Sequence, residues 1–304
     1  MRILLQFPEG LKKDALVEAK KLESKGHEVF ISSSACFGAC DLALEEARAC
    51  KAQKIIHFGH AEFLKAKGVK VEYVEQKFEA NIPALVRSSI SLLQKCRTLG
   101  LLSTVQHVHQ LPEVKRMLER RGKKCLIGKG KLVRYAGQIL GCDAHAALSI
   151  SKKVDGFLFI GAGFFHPLAL PQGKPVFQFN PYTNEAREIT AEIAEQRKKR
   201  KGALTLALLA KTFGILVSTK VGQLNLNKAR ELKKKLEAKG KRALILISNE
   251  VNFDALANFR AFDAFITTAC PRLADDAARA GKPILTQEEA LELLELQNSA
   301  AKSC

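Results

Sequence analysis

Residues 1–32 read MRILLQFPEGLKKDALVEAKKLESKGHEVFIS, and this stretch contains the pattern that decides the fold. An apolar run at 3–7 precedes a charged stretch at 15–26, in which apolar residues recur at helical spacing before Gly26. A second apolar run follows at 28–32. Helical spacing that ends in a glycine is typical of a surface helix, and short apolar runs are typical of buried strands. The stretch therefore predicts a strand–helix–strand unit.

Two later segments repeat this unit. The first strand, the glycine-terminated helix and the second strand lie at 99–103, 113–122 and 124–127 in one copy, and at 213–217, 229–240 and 243–247 in the other. A third and a fourth strand follow in each copy, at 55–58 and 69–74, 157–160 and 175–179, and 264–267 and 283–285. Apolar runs that alternate with helices favour parallel sheets. We predict an α/β protein of three repeated small α/β domains with parallel sheets around a central cleft, over residues 1–95, 96–200 and 201–304, with a helical connection at 181–201.

Three of the eight cysteines lie about a hundred residues apart, each after a small residue and directly before a predicted helix. Cys40 and Cys142 follow the second strand of their domains, whereas Cys270 follows the third. Because a helix N-terminus stabilises a thiolate, each position suits a metal ligand. We predict that each domain contributes one thiolate to a shared metal site. Three thiolates on an iron–sulfur cluster leave one iron without a protein ligand. The alternative is that each cysteine is a small buried apolar residue.

The other cysteines have no repeated position. Cys36 precedes Cys40 by four residues and is either a spare thiol or a support for the ligand. Cys96, Cys125 and Cys304 have no equivalent in the other copies, so we predict no metal role for them.

Two loops with histidines follow the third strands of the first and second copies. One reads His57-Phe58-Gly59-His60, and the other runs from Gly161 to Pro167 and contains Gly163 and His166. Loops at the carboxyl ends of parallel strands are where α/β sheets bind ligands. We predict that His60, Gly161, Gly163 and His166 contact a substrate or cofactor. A zinc half-site at the histidine pair and a simple structural turn at the glycines are the alternatives.

Composition narrows the function classes. The sequence has no Walker A loop, no complete Gly-x-Gly-x-x-Gly fingerprint and no nucleophile elbow, which weakens nucleotide hydrolase, dehydrogenase and esterase interpretations. It has no apolar run of about 18 residues and no apolar leader, so we predict a cytoplasmic protein without membrane contact. The net charge of +18 includes basic runs at 120–124, 197–201 and 233–235. They indicate an acidic or RNA-associated partner, or else solvated helix ends.

The order of these motifs resembles that of the archaeal diphthamide synthases, the 2-(3-amino-3-carboxypropyl)histidine synthase family, along nearly the whole chain. The motifs that carry the resemblance are Gln6-Phe7-Pro8-Glu9-Gly10-Leu11, Phe37-Gly38-Ala39-Cys40-Asp41, His57-Phe58-Gly59-His60, Leu140-Gly141-Cys142-Asp143, the 161–168 loop, residues 211–217 and Thr268-Ala269-Cys270-Pro271-Arg272. Phe37 departs from the family, in which tyrosine is common at that position.

The resemblance implies an atypical radical enzyme. Cys40, Cys142 and Cys270 would hold a 4Fe-4S cluster, with S-adenosyl-L-methionine on the unique iron. The enzyme would transfer a 3-amino-3-carboxypropyl group to imidazole C2 of a histidine in translation elongation factor 2, the first step of diphthamide biosynthesis. The family further implies a homodimer and an electron donor that the sequence does not identify.

Two other functions remain open from the sequence. Quinolinate synthase also joins three α/β repeats around a three-cysteine cluster, although the histidine loops and the Gln6 to Gly10 opening favour the diphthamide family. A basic ribosome- or RNA-binding protein with structural cysteines would need no iron.

Overall fold

The computed structural model describes residues 1–302, with side chains to Asn298, so Cys304 lies outside the described residues. The strands in this range are β1 Arg2–Gln6, β2 Glu28–Ile31, β3 Lys54–Phe58, β4 Lys70–Val74, β5 Thr98–Ser103, β6 Lys124–Leu126, β7 Gly156–Ile160, β8 Val176–Asn180, β9 Glu185–Glu188, β10 Thr212–Ser218, β11 Arg242–Ser248, β12 Ala264–Thr267 and β13 Ile284–Thr286. The α-helices are α1 Ala15–Glu23, α2 Leu44–Ala49, α3 Ile82–Ser88, α4 Leu111–Glu119, α5 His145–Leu148, α6 Thr190–Leu208, α7 Leu226–Glu237, α8 Phe253–Ala257 and α9 Gln287–Lys302. None of these helices is both long and apolar enough to cross a membrane.

The strands of residues 1–302 form three sheets with one common order. The orders are β2-β1-β3-β4, β6-β5-β7-β8-β9 and β11-β10-β12-β13. Every pair is parallel except β8 with β9. The predicted α/β class and parallel repeats are confirmed. By their contacts, Met1–Ile193 form one compact unit with two of the sheets, and Ala194–Cys304 form a second unit.

Each sheet is covered by the helices that the apolar spacing predicts. In the second sheet, Val114 and Leu118 of α4 are fully buried in one core with Leu101 of β5 and Leu158 of β7. In the third, Leu232 and Leu236 of α7 pack in the core with β10 and β12. Full burial of a leucine side chain stabilises the fold by roughly 1.5–3 kcal/mol. These helices therefore hold their sheets mainly through two or three side chains each.

The predicted helical connection at 181–201 is only partly right. Residues Glu185–Glu188 form β9, which pairs antiparallel with β8 at the edge of the second sheet. Its sequence, Glu-Ala-Arg-Glu, has one apolar residue, so no apolar run marks it as a strand. The helix that follows, α6, continues to Leu208 because Leu204 and Ala207 are buried in the core below β10. The basic run at 197–201 thus lies within a helix and not at its end.

The three copies end their first helix in the same way. Gly26, Gly122 and Gly240 have φ of 76°, 78° and 70°, a left-handed conformation that favours glycine. The next amide, from His27, Lys123 or Lys241, donates to a carbonyl one turn back in the helix. This is the Schellman arrangement, in which the last helical carbonyls find donors.

Two lysines in equivalent positions cap carbonyl groups elsewhere in their copy. Lys123 Nζ donates to the carbonyls of Leu93 (2.8 Å) and Cys96 (2.7 Å), just before β5. Lys241 Nζ donates to the carbonyl of Ala210 (2.6 Å), just before β10. Lys123 of the basic run at 120–124, and Lys241, which lies outside the three basic runs, are therefore bonded inside the fold.

A side chain before the third strand of each copy clamps the start of the first strand. Asp155 Oδ2 accepts from the amides of Arg97 (2.9 Å) and Thr98 (2.7 Å). Asp263 Oδ2 makes the same contacts before β10. Gln53 Oε1 accepts from the amide of Arg2 (3.0 Å) in the first copy. The clamp shows that the repeat extends to individual hydrogen bonds.

The clamps predict an acid-dependent contribution to stability. The backbone amides hold the pKa of Asp155 and Asp263 below the ordinary 3.8. A depressed folded-state pKa gives stability that is present above the unfolded value and is lost as the pH falls through the folded value, here below about pH 4. In urea unfolding at pH 7 and at decreasing pH below about 4, we expect wild type to lose more stability than the Asp155→Asn, Asp263→Asn double variant. Equal losses in both proteins would contradict the prediction.

Candidate cysteine site and histidine loops

Cys40 lies in a tight turn between β2 and α2. The amide of Asp41 donates to the carbonyl of Gly38 at 3.0 Å and closes the turn. The Asp41 side chain is buried, and its carboxylate accepts from the amide of Phe37 at 3.3 Å. The Cys40 side chain is half-buried. The turn therefore fixes the backbone while the thiol stays partly accessible.

Cys142 has the same place in a second turn. Leu140 and Asp143 exchange backbone hydrogen bonds of 2.9 and 3.2 Å, with Cys142 exposed at the tip. The carboxylate of Asp143 accepts from the amides of Lys131 (3.2 Å) and Leu132 (2.7 Å) through Oδ2. Its Oδ1 accepts from the amide of His145 at 2.8 Å. One carboxylate thus joins the long loop after β6 to the cysteine turn and α5.

The expectation that each cysteine directly precedes a helix is wrong for two of the three. Cys40 lies four residues before α2, and Cys142 three residues before α5. The chain first forms a four-residue turn that Asp41 or Asp143 closes, and only then begins a helix of six or four residues. Cys270 does cap a helix, the short 3-10 helix Pro271–Ala274.

Cys270 is half-buried at the carboxyl end of β12. The amide of Leu273 donates to its carbonyl at 3.2 Å. Thr267 Oγ1 donates to the same carbonyl at 3.4 Å and accepts from the amide of Ala269 at 3.2 Å. Two donors therefore fix the carbonyl of Cys270.

Arg200 of α6 supports the segment after Cys270. Its guanidinium donates to the carbonyls of Ala274 and Ile284, the latter at 2.9 Å, and pairs with both oxygens of Glu289 in α9. The two side chains of this ion pair are only 13% and 19% exposed. One residue of a basic run thus joins the end of the 3-10 helix, β13 and α9.

The remaining cysteines fall into a different class. Cys96 and Cys125 are fully buried among apolar side chains of the second sheet. Burial raises the pKa of both thiols, that of Cys125 to about 12, so they are poor thiolate ligands. Cys36 is also buried, with Sγ 4.0 Å from the carbonyls of Gly38 and Asp41. It packs beneath the turn of Cys40, as expected of a supporting thiol.

His57 and His60 form a bonded pair at the carboxyl end of β3. His57 Nε2 lies 2.9 Å from His60 Nδ1, and His57 Nδ1 lies 2.9 Å from Oε1 of Gln6 in β1. Burial and the neighbouring His60 lower the pKa of His57 to about 3, and burial lowers that of His60 to about 4. Both rings are therefore neutral at physiological pH.

Tyr73 places this pair near Cys40. Its ring lies 5.3 Å from that of His57, and its hydroxyl donates to the carbonyl of Leu64 at 2.8 Å. Burial raises the pKa of Tyr73, and the thiolate of Cys40 is among the charges that raise it further. The Cys40 turn and the histidine pair thus occupy one neighbourhood.

The glycine-rich loop after β7 is ordered by aromatic contacts. His166 stacks on Phe159, with ring centroids 6.1 Å apart, and meets the edge of Phe165 at 5.0 Å. Gly163 has φ of 68°, and its carbonyl accepts from Gln178 Nε2 at 2.8 Å. The predicted residues Gly161, Gly163 and His166 therefore share one loop at the carboxyl edge of the second sheet, and its aromatic and hydrogen-bond contacts hold it against the sheet.

A second histidine chain was absent from the sequence predictions. His107, after β5, is buried, and its ring nitrogens lie 3.2 Å from Gln110 Oε1 and 3.0 Å from the hydroxyl of Tyr182. Burial lowers the pKa of His107 and raises that of Tyr182. The only sequence signal is position, because both residues follow carboxyl ends of predicted strands.

The carboxyl-edge loops of the first two sheets contact each other. Gln106 Nε2 donates to the carbonyl of Gly59 at 3.1 Å, and the carbonyl of Gln106 accepts from the amide of Phe78 at 3.0 Å. The hydroxyl of Tyr135 donates to the carboxylate of Glu75 at 2.7 Å. Within residues 1–193, loops that follow β3, β4, β5 and β6 therefore meet, so ligand-binding edges of two sheets converge.

Comparison with known proteins gives one consistent result. A family model described as "Putative diphthamide synthesis protein" matches residues 7–303. The 2-(3-amino-3-carboxypropyl)histidine synthase of Pyrococcus horikoshii is 36% identical over 97% of this chain and 86% of its own length. Subunit 1 of the enzyme of the same name from Caenorhabditis elegans is 30% identical, over 93% and 73%.

Solved structures agree with the sequence relatives. The crystal structure of Dph2 from P. horikoshii superposes with a TM-score of 0.89 at 36% identity and covers 97% of this chain and 86% of that one. A crystal structure of the same protein with a 4Fe-4S cluster gives a TM-score of 0.89 at 35% identity, with the same coverage.

Proposed function

Because the chain belongs to the diphthamide synthesis protein family, we propose that it is a transferase with the activity of its relatives. It moves the 3-amino-3-carboxypropyl group of S-adenosyl-L-methionine to imidazole C2 of a histidine in translation elongation factor 2, the first step of diphthamide biosynthesis. The match to the P. horikoshii synthase along 97% of this chain is the observation that carries the proposal.

The thiols of the chain fit a 4Fe-4S cluster with three protein ligands. Cys40, Cys142 and Cys270 are half-buried or exposed at strand-end loops, whereas Cys36, Cys96 and Cys125 are buried. A cluster needs thiolates that it can reach, which the first group offers and the buried thiols do not. Cys50 is also half-buried, but it lies at the C-terminal end of α2, where the helix dipole disfavours a thiolate. We propose that Cys40, Cys142 and Cys270 are the ligands and that S-adenosyl-L-methionine binds at the iron they leave open.

The chain's own residues bind and orient the co-substrate. When bound, a reduced cluster of this kind supplies the electron that breaks the bond between sulfur and the γ-carbon of the aminobutyrate group, with methylthioadenosine as the other product. His60, His166, Gly161 and Gly163 contact the co-substrate in this proposal. The stacked ring of His166 and the fixed carbonyl of Gly163 give that side of the site one conformation, which favours cleavage of one carbon–sulfur bond over the others.

The partners follow from the same chemistry. Translation elongation factor 2 is the protein substrate, and a separate reductase supplies the electron. We propose a cytoplasmic homodimer in which each of the three repeats, 1–95, 96–200 and 201–304, provides one thiolate. Support for a second copy comes from β11, a seven-residue edge strand with Leu244 and Ile247 exposed. Long apolar edge strands tend to pair with another chain.

The test is an anaerobic assay with three components. Purified protein is reconstituted with iron and sulfide, reduced, and incubated with S-adenosyl-L-methionine and elongation factor 2. We expect methylthioadenosine together with a modified histidine in the factor, identified by mass spectrometry. Formation of 5′-deoxyadenosine, or no cleavage of the co-substrate, would exclude the proposed function. A factor whose target histidine is replaced by alanine is the matched control and must stay unmodified.

A further inference from the structure

The side-chain amide of Gln6 has only one possible orientation. One end of the amide lies 2.6 Å from the carbonyl of Asp41, which can only accept, so that end is Nε2. The other end lies 3.1 Å from the amide of Ala43, which can only donate, so it is Oε1. Backbone groups thus fix an assignment that side chains alone leave ambiguous.

This orientation determines the protonation of two histidines in turn. Gln6 Oε1 is an acceptor, so the neutral His57 ring carries its proton on Nδ1 and donates it. His57 Nε2 is then an acceptor, and the partner atom, His60 Nδ1, carries the proton of the second ring. The remaining nitrogen, Nε2 of His60, then has a lone pair and no hydrogen. The backbone of Phe58 also bonds to this ring, and because a carbonyl can only accept, its partner in this assignment is the proton on Nδ1.

These bonds argue against a metal ion at the same place. Donor atoms of Cys36, His57 and His60 all lie within 4.8 Å of one another, as in a three-ligand metal site. Both nitrogens of His57 already take part in hydrogen bonds, and a metal would have to break one of them. The group is therefore a hydrogen-bonded chain that ends at His60.

We propose that Nε2 of His60 accepts a hydrogen bond from the α-ammonium group of S-adenosyl-L-methionine, and that Gln6 and His57 are positioning residues that keep this nitrogen unprotonated. The proposal rests on the proposed function and names the contact within it. An acceptor without a hydrogen cannot bind the carboxylate or the sulfonium of the co-substrate, which have no donors. The ammonium is its one charged donor, and hydrogen bonds from charged donors are the stronger ones.

The alternative of His60 as a proton acceptor in the reaction is less favourable. Burial lowers its pKa to about 4, so the ring resists protonation near neutral pH. Such a ring suits a fixed acceptor, because binding an ammonium leaves its proton count unchanged. The contact would orient the aminocarboxypropyl group, the part of the co-substrate that is transferred.

A binding cycle tests the contact without turnover. The unreduced, cluster-bearing protein and its His60→Ala variant are each titrated by equilibrium dialysis with S-adenosyl-L-methionine and with the analogue whose α-amino group is replaced by a keto group. We expect loss of the amino group to weaken binding on the order of 10- to 100-fold in wild type and less than about threefold in the variant. Equal ratios in the two proteins would overturn the proposal.

Further variants of His60 and a second analogue test which atom of His60 and which group of the co-substrate make the contact. His60→Gln brings an amide oxygen close to the position of Nε2 and should keep much of the discrimination, whereas His60→Asn, with its oxygen nearer the position of Nδ1, should lose it. S-inosylmethionine lacks the adenine amino group. Its affinity relative to S-adenosyl-L-methionine should be the same for wild type and for His60→Ala. If instead wild type loses more affinity for this analogue than His60→Ala does, the contact is to the base and the proposal is wrong.

The proton positions have a direct spectroscopic test. Long-range ¹H–¹⁵N correlation spectra of the ¹⁵N-histidine-labelled full chain, assigned with His57 and His60 variants, report which nitrogen of each ring is protonated. We expect His57 and His60 both to carry the proton on Nδ1, and a Gln6→Leu variant to lose this for His57. A proton on Nε2 of His60 would overturn the inference. A protein that neither binds S-adenosyl-L-methionine nor forms methylthioadenosine would instead contradict the proposed function itself.

Discussion

Changing Cys142 to alanine is expected to remove the bound cluster and to lower methylthioadenosine formation by more than about 100-fold. The same result is expected for Cys40→Ala and Cys270→Ala. Each change leaves two thiolates where the cluster needs three. Iron and sulfide content after anaerobic reconstitution, the absorbance of the cluster and the nucleoside product are measured together.

Other cysteines of the same chain provide the controls. Cys50, at the end of α2, has its thiol 3.7 Å from the carbonyl of Ala47, and Cys50→Ala should keep full iron content and activity. Cys36→Ala should bind a cluster that is lost more readily, because it removes packing beneath the Cys40 turn but no ligand. If any of the three ligand variants kept its iron and activity, the assignment would be refuted. Circular dichroism excludes unfolding as the cause of a loss.

The second large effect is expected at Arg200. Replacing it with methionine keeps most of the side-chain volume but leaves Glu289 without its cation and two carbonyls without their donor. Breaking a buried ion pair by removing one partner costs about 3–5 kcal/mol, and we expect a loss near the lower end because both side chains retain some exposure. Denaturant unfolding of the full chain, followed by circular dichroism, measures the change.

Lys199 is the matched control for Arg200. It belongs to the same basic run and pairs with Glu195, but both side chains are 66% exposed. Lys199→Ala should change stability by only about 0.5 kcal/mol. A result in which both variants lose the same amount would show that Arg200 acts through helix α6 alone and not through its contacts. Arg200→Met should also reduce cluster retention, since its guanidinium holds the end of the 3-10 helix that begins after Cys270.

Apolar runs and helical apolar spacing predicted most of the fold, because they mark the side chains that are buried in the folded protein. The central strands of the three sheets, β1, β3, β5, β7, β10 and β12, are apolar runs that are buried on both faces. The first helix of each copy ends in a glycine with positive φ. Strand β9 escaped prediction because three of its four residues are charged, so it has no apolar run. The continuation of α6 to Leu208 also escaped, because the basic run within it masks its helical pattern.

The sequence predicted the cysteines of the candidate site, but not the hydrogen bonds that connect its other residues. The positions of Cys40, Cys142 and Cys270 after strands follow from the repeat, yet local sequence could not show that the first two lie in turns. The hydrogen bonds that position the histidines connect residues far apart in the sequence. His57 and Gln6 are separated by 51 residues, and His107 and Tyr182 by 75. Such pairs depend on the register of parallel strands, which only the folded sheet defines.

Lys123 and Lys241 donate to backbone carbonyls, so part of the formal charge of +18 is already bonded within the protein. These ammonium groups are solvated by the protein's own backbone, and the guanidinium of Arg200 is shared between backbone and a carboxylate. A cation held in this way contacts few phosphates of a bound polyanion, so it releases few of the counterions that surround them. Affinity for RNA should therefore depend less steeply on salt than the count of basic residues implies.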